Sequence, residues 1–291
     1  MSTRVVSAGL KVNEIVVLRI GLLCAGGWLV LAALRAGSSG LLPEVHTLIY
    51  LMIAAGAGGL ALILAAGLHH PLNGLRWFIL AALVAEVLIS AVVWVKSSPR
   101  PAYVRIDSGL YLEMAADMVR HGENPYEWDF SAVYEIYRTD QASLTPAIDG
   151  STVGRYAYPA LSFLLAIPFQ MIGLPGAFML TVTAQLLVLV ALFLGAPRAI
   201  QPLILFPLVV GTNFTTSALL GSIDIVWALL LTLMIVIWRR PYGRAVLYGL
   251  AAAFKQNVWL LAPFLLIRLW KENEDVDREN GQPSSLSEVI R

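Results

Sequence analysis

Six hydrophobic runs, each long enough to cross a bilayer, recur along this chain at roughly 15–35, 47–68, 77–95, 176–195, 199–218 and 245–267. A membrane-spanning helix needs about 20 mostly apolar residues, because the hydrocarbon core is about 30 Å thick. Two shorter runs, 158–173 and 222–238, read as tilted or partial spans. No strand-like alternation separates them. The expected fold is therefore all-α and polytopic: an integral membrane protein with about eight transmembrane helices. Composition agrees with lipid as the solvent. Of 291 residues, 58% are hydrophobic and 13% charged, against about 25% charged in an ordinary soluble domain. The first run is too long for a cleaved signal peptide, and no small-residue cleavage site precedes the second. The single cysteine, Cys24, lies inside a hydrophobic run, so there is no disulfide framework. The net charge of +1 points to no particular partner, and no nucleic acid is expected.

The runs divide the chain into an N-terminal set of helices (1–95), a polar loop (96–157), a second bundle (158–270) and a polar tail (271–291) expected to be disordered. The loop holds six bases and nine acids, a net of −3 in a chain that is +1 overall. Lys and Arg mark the cytoplasmic side. Arg4 and Lys11 put the N-terminus inside, and three crossings then put the acidic loop outside. Five further crossings, taken literally, bring RRPYGR (239–244) outside as well, against that rule. The parity is restored if either 158–173 or 199–218 does not cross. Pro202, Pro207 and Asn213 make 199–218 a candidate broken helix, because proline removes a backbone donor. No internal repeat is evident.

Within the loop, 107–120 reads as a helix lying at the membrane surface. Asp107 or Ser108 suits the N-cap, and Gly122 the left-handed position that follows the last turn. Leu110, Met114 and Met118, with Tyr111 beside them, recur at spacings of three and four and give one apolar face. His121 reads as a C-cap, since cations favour that helix end. Asn124-Pro125-Tyr126 turns the chain, and a second short amphipathic piece follows near 129–138. Asp107 has two compatible readings: a cap, or a general base at the interface.

An acid opening an interfacial helix, then G-x-N-P-Y, then RYAYPALSFLLAIPF (155–169), resembles the first external loop of the GT-C glycosyltransferases. The likeness is to the polyprenyl-phosphate-mannose-dependent mannosyltransferases. LLGSID (219–224) is similar to that group's G-Q-x-D-like segment, and YGLAAAFKQNVWLLAPFLL (248–266) to its G-L-A-x-x-x-K-Q helix followed by proline. The three blocks occur in the same order. They differ from the family pattern at Ala160, where a second proline is common, and at Ser222, where glutamine is. Two hydrophobic spans, rather than the usual one, precede the span leading to the loop, and such enzymes usually have more helices. A short member, a fragment or a non-catalytic relative would fit.

The resemblance implies a transferase that moves a sugar, mannose for the named relatives, from a polyprenyl-phosphate carrier to an acceptor hydroxyl on a glycan, lipid or protein. It implies the plasma (inner) membrane of the cell envelope, with the active site facing away from the cytoplasm, inversion at the anomeric carbon, and no cofactor or obligatory metal. Asp107 matches the catalytic acid position. Arg155 and Lys255 are the cations expected at the donor phosphate. Tyr111, Asn124, Tyr126, Tyr156, Tyr158, Asp224 and Gln256 are the expected lining of the substrate groove.

Charges inside the runs need protein or water beside them. For Lys255 the structural alternative is a pair with Glu86 or with Asp224. Glu86 is expected to be structural, with a proton-relay role as the alternative, and Arg19 to snorkel to the surface. His69 and His70 face different sides of any helix and so make a poor metal site. Asn213-Phe214-Thr215 matches a glycosylation sequon but sits in an apolar segment. The rival function is a membrane transporter or lipid-handling protein. It rests on the same buried charges and on the interrupted 199–218 segment.

Overall fold

A computed structural model describes residues 12–40, 46–69, 72–97, 106–137, 146, 153–205 and 213–279. Among them the chain is helical throughout, with no strand element. Four helices are long and apolar enough to cross a membrane: α1 (Val12–Ser38), α2 (His46–Ala66), α3 (Leu75–Ser97) and α8 (Gly176–Gly195). All four are apolar around most of their circumference. Leu34, Ile53, Leu64 and Leu88 point outward, as side chains facing hydrocarbon do. Helices in lipid gain their association from close packing. Gly26 and Gly59 supply it for α1 and α2: a Cβ on either would stand 2.5 or 2.6 Å from the other's carbonyl oxygen.

The other expected spans are interrupted. Segment 158–173 forms two short helices, α6 (Leu161–Leu164) and α7 (Ile167–Met171). Pro168 has no N–H to give the Leu164 carbonyl, and its ring clashes there, so the helix stops at Leu164. Segment 222–238 contains α10 (Asp224–Val236), whose 13 residues reach only about 20 Å. Segment 199–218 holds a 3-10 turn at Gln201–Leu205 and the seven-residue α9 (Asn213–Leu219); residues 206–212 lie outside the described part. The expected single span at 245–267 is a correction. α11 (Pro241–Phe254) ends at Lys255, whose backbone is extended (φ −147°, ψ 131°), and a 3-10 turn, Gln256–Leu261, leads into α12 (Ala262–Glu279). Lys-Gln-Asn and Pro263 together make a continuous apolar helix untenable there. α12 also carries helical structure through residue 279, into the tail expected to be disordered from 271; residues 280–291 lie outside the described part.

The helix expected over 107–120 is present. α4 runs Asp107–Arg120, Gly122 is left-handed (φ +80°), and His121 Nδ1 bonds the Asp117 carbonyl at 2.8 Å. Its N-cap is Ile106, not Asp107 or Ser108; Asp107 is the first helical residue, and its Oδ1 accepts from the Ser108 amide at 2.6 Å. The second amphipathic piece is a 3-10 turn, Phe130–Ala132, followed by α5 (Val133–Tyr137). Leu110, Tyr111, Leu112, Ala115, Ala116 and Met118 are buried, so α4 packs on protein.

Glu113 locks α4 to the bundle. Its carboxylate accepts the amides of Gly176 (3.0 Å) and Ala177 (2.6 Å), the first two residues of α8, and the Gln170 amide at 2.8 Å. It caps a 20-residue apolar helix from another element.

These contacts define two ends. The end bearing α4 also holds the start of α8, through Glu113, and Ala218 of α9, whose carbonyl accepts from Thr181 at 2.8 Å. At the opposite end, Trp77 meets Phe193 (5.3 Å between centroids), Gly195 rests on Val236, Gly21 rests on Pro202, and Arg19 donates to the Leu68 carbonyl at 2.9 Å. RRPYGR follows α10 at this second end, away from Asp107. Arg19 therefore caps α2.

Candidate functional site

Three sequence blocks, far apart along the chain, meet at the α4 end. The Ile106 amide donates to the Leu220 carbonyl (3.2 Å), which ties the start of α4 to the turn before α10. That turn needs Gly221, whose φ of +89° is strained for any other residue. It delivers Asp224 into the first turn of α10, where the helix dipole favours a carboxylate.

Asp224 Oδ1 accepts from Trp227 Nε1 (2.7 Å) and from Lys255 Nζ. The helix break after Phe254 is what brings that lysine across: an extended residue between two helical pieces projects its side chain sideways, out of both. The Lys255 side chain is 11% exposed and its partner's 53%. Asp224 thus faces solvent while Lys255 is enclosed. Lys255 Nζ also lies 5.3 Å from the centre of the Tyr158 ring, a cation–π distance.

Tyr158 is the hub. Burial, and then the nearby charges of Asp107 and Asp224 and the phenol of Tyr111, push its hydroxyl up to about 12. Both carboxylates therefore act on one ring that Lys255 also faces. Its main-chain oxygen accepts from the Tyr126 hydroxyl at 2.9 Å, which fixes the loop. Gln256, beside Lys255, is half-buried, and its buried Oε1 has no hydrogen-bond partner among the described residues, an acceptor left open. The cluster thus offers a carboxylate (Asp107), a cation with one N–H committed to Asp224, and a phenol. This is the equipment for binding a hydroxylated molecule that carries an anionic group.

The remaining expected residues make contacts within the loop and its neighbours. Tyr111 and Tyr156 are buried. Tyr111 donates to the Val153 carbonyl, Tyr156 bonds Ser162 Oγ at 2.5 Å, and Tyr156 stacks edge-on against Phe163 (5.5 Å). Burial drives the Tyr156 phenol well above its ordinary range. Asn124 is exposed and makes a turn, its Oδ1 accepting from the Tyr126 amide (3.1 Å) and its Nδ2 donating to Glu127 (2.7 Å). Arg155 has a different charged neighbour from Lys255. It is exposed, and its charge acts on Asp129, whose carboxyl is held low by the Ser131 amide and hydroxyl and then by Arg155.

The buried charges resolve into separate pairs. Lys255 pairs with Asp224, while buried Glu86 lies 3.8 Å from Arg35 and accepts from Ser90 at 3.1 Å. Sequence reasoning counted Glu113 only as one of nine acids. One signal was available: it lies three residues from both Leu110 and Ala116, on the face marked for burial, and an acid there needs donors. Among the described residues, no three His, Cys, Asp or Glu side chains gather as a metal-ligand set. No family model, no curated protein and no solved structure matches this chain.

Proposed function

We propose that this protein is a membrane glycosyltransferase that moves a sugar, mannose in the first instance, from a polyprenyl-phosphate carrier to an acceptor hydroxyl. The observation that carries the reading is the meeting of Asp107 with the Tyr158–Asp224–Lys255 cluster. The three blocks that resemble the transferases meet at one end of the bundle, as a shared site requires. In the reaction, the acceptor oxygen attacks the anomeric carbon from the face opposite the phosphate. Its proton passes to the Asp107 carboxylate, and the bond from that carbon to the phosphate oxygen breaks with inversion. Lys255 Nζ, with N–H donors to spare beyond the one on Asp224, holds the departing phosphate charge. The carrier stays in the bilayer throughout.

Charge asymmetry supports an active site facing away from the cytoplasm. Among the described residues, Lys and Arg are more numerous at the end opposite α4, with Arg19, Arg76, Arg198, Arg239, Arg240, Arg244, Arg268 and Lys271, against Arg35, Lys96, Arg120, Arg155 and Lys255 at the α4 end. Basic residues gather on the cytoplasmic side. A non-crossing 158–173 puts RRPYGR on that basic side, in line with the same rule. A transporter is the second reading, favoured by the helix broken at a buried lysine, a device that carriers use at substrate sites.

The test is sugar transfer by purified protein given polyprenyl-phosphate-mannose and a panel of glycan acceptors. Loss of a general base costs about 10²–10⁴-fold, so Asp107→Asn should fall by that factor while remaining folded. Equal transfer by both proteins removes Asp107 from the mechanism. Absence of transfer by the wild type to every acceptor favours the transporter.

A further inference from the structure

At the end opposite Asp107, α10, α11 and α12 line an apolar cavity of about 330 Å³, with Met234, Arg244, Tyr248, Leu265 and Leu269 among its walls. That volume falls within the range of about 300–1,000 Å³ usual for small-molecule sites. Beside it Phe264 (69%) and the lining residue Leu266 (66%) are exposed, an apolar outer face of the kind that meets lipid. Its mouth is basic. Arg244 lies over the Trp238 ring (4.6 Å to the centroid), and Arg239 and Arg240 are exposed in the turn between Trp238 and Pro241, both of which line the cavity. Arg268 and Lys271 are exposed on the adjoining turns of α12.

Glu272 is the one carboxylate among the described side chains of this rim. It accepts from Trp238 Nε1 (2.7 Å), Arg268 Nε (3.0 Å) and Arg244 (3.4 Å). Four guanidiniums and an ammonium therefore face a single negative charge, and most of their N–H donors remain available. Tyr242 (87% exposed) and Trp270 (49%) stand beside them. Such amphipathic rings settle at the level of lipid headgroups. An apolar chamber beside an apolar outer face, closed at headgroup depth by excess positive charge, has the complement of one kind of molecule.

We propose that this cavity binds an anionic phospholipid. One acyl chain occupies the chamber, and the phosphodiester rests against Arg239, Arg240 and Arg244. A zwitterionic lipid brings its own cation against the cluster and is disfavoured. Inorganic phosphate satisfies the guanidiniums but leaves the chamber empty. The site does not depend on the transferase reading, since it lies at the other end of the bundle.

Native mass spectrometry of the full chain, titrated with phosphatidylglycerol or phosphatidylcholine, tests it. One phosphatidylglycerol should be retained, with at least tenfold preference over phosphatidylcholine. Each basic residue near an anionic surface is worth about a factor of five. Arg239→Gln with Arg240→Gln should therefore weaken retention roughly thirtyfold, and both positions are exposed, so the fold should persist. Leu265→Trp fills the chamber and leaves every guanidinium in place; it should abolish retention, with folding confirmed by circular dichroism. Equal retention of phosphatidylcholine, or wild-type retention of phosphatidylglycerol by either variant, overturns the proposal.

Discussion

Replacing Glu113 should loosen the whole assembly, because one carboxylate joins α4 to a membrane-spanning helix. The first amides of a helix have no intrahelical acceptor. At α8 the two concerned, on Gly176 and Ala177, are buried, so water cannot take over easily. There is little room for relaxation: a Cβ at Gly176 would already stand 2.8 Å from the Ala166 carbonyl oxygen. Hydrogen bonds to a charged group contribute about 1.5–3 kcal/mol each. Gln170 keeps a second acceptor, the Glu113 main-chain oxygen at 2.9 Å, so its share of the loss is small. Two orphaned amides therefore put Glu113→Ala at about 3–6 kcal/mol. Glu113→Gln keeps one acceptor oxygen but turns an NH₂ group toward an N–H, and should cost about 1–2 kcal/mol. Against a total stability of about 5–15 kcal/mol these are large effects. Equilibrium unfolding in mixed micelles, followed by circular dichroism, reads the order Glu, Gln, Ala directly. An alanine variant within about 0.5 kcal/mol of wild type, the size of an ordinary surface substitution, would refute the account.

Two further outcomes follow from exposure and charge. Asp224→Asn strands a lysine whose side chain is 11% exposed and should cost about 2–4 kcal/mol, whereas Lys255→Met leaves a carboxylate that is 53% exposed and should cost about 1 kcal/mol or less; the same unfolding assay tests this, and the reverse order sinks the pairing argument. The Asp129 carboxyl is held below its ordinary value of 3.8 by the Ser131 amide and hydroxyl and by Arg155. With the folded value depressed, its support for the 3-10 turn at Phe130 is present above the ordinary carboxylate range and lost as pH falls through the folded value. The fluorescence of Trp128, packed edge-on against Phe130 at 5.3 Å, should report that acid transition. Asp129→Asn should flatten it; an unchanged transition means another group is responsible.

The transferase reading makes different demands on its residues. Asp107 and Lys255 must touch reacting atoms, while Tyr126, Tyr156 and Glu113 act only by holding them in place. Proximity catalysis is sensitive to displacements of about 1 Å. The carboxylate of Glu113, 6 residues along α4 from Asp107, therefore belongs among the groups that determine where the general base stands.

Local features were legible in the residues. α4 runs Asp107–Arg120 as its apolar spacing indicated, Gly122 is left-handed, and His121 reaches the Asp117 carbonyl, because caps and helix periodicity depend on neighbours three or four residues away. What hydropathy misjudged was continuity. A window average over 245–267 is apolar whether or not the chain breaks at Lys255, and 158–173 is apolar on both sides of Pro168.

The sequence by itself determined the solvent: long apolar runs leave a chain no economical alternative to helices in lipid, whatever their arrangement. It also determined that an acid opens the helix in the polar loop. Only the tertiary structure decided that Lys255 pairs with Asp224 and Glu86 with Arg35, that Glu113 caps α8, and that RRPYGR lies opposite Asp107. A charge in a low-dielectric interior must find a partner within a few ångströms. Sequence shows that the partner is required; which one is chosen depends on helices crossing at Gly26 and Gly59 and on a turn that only Gly221 can make without strain.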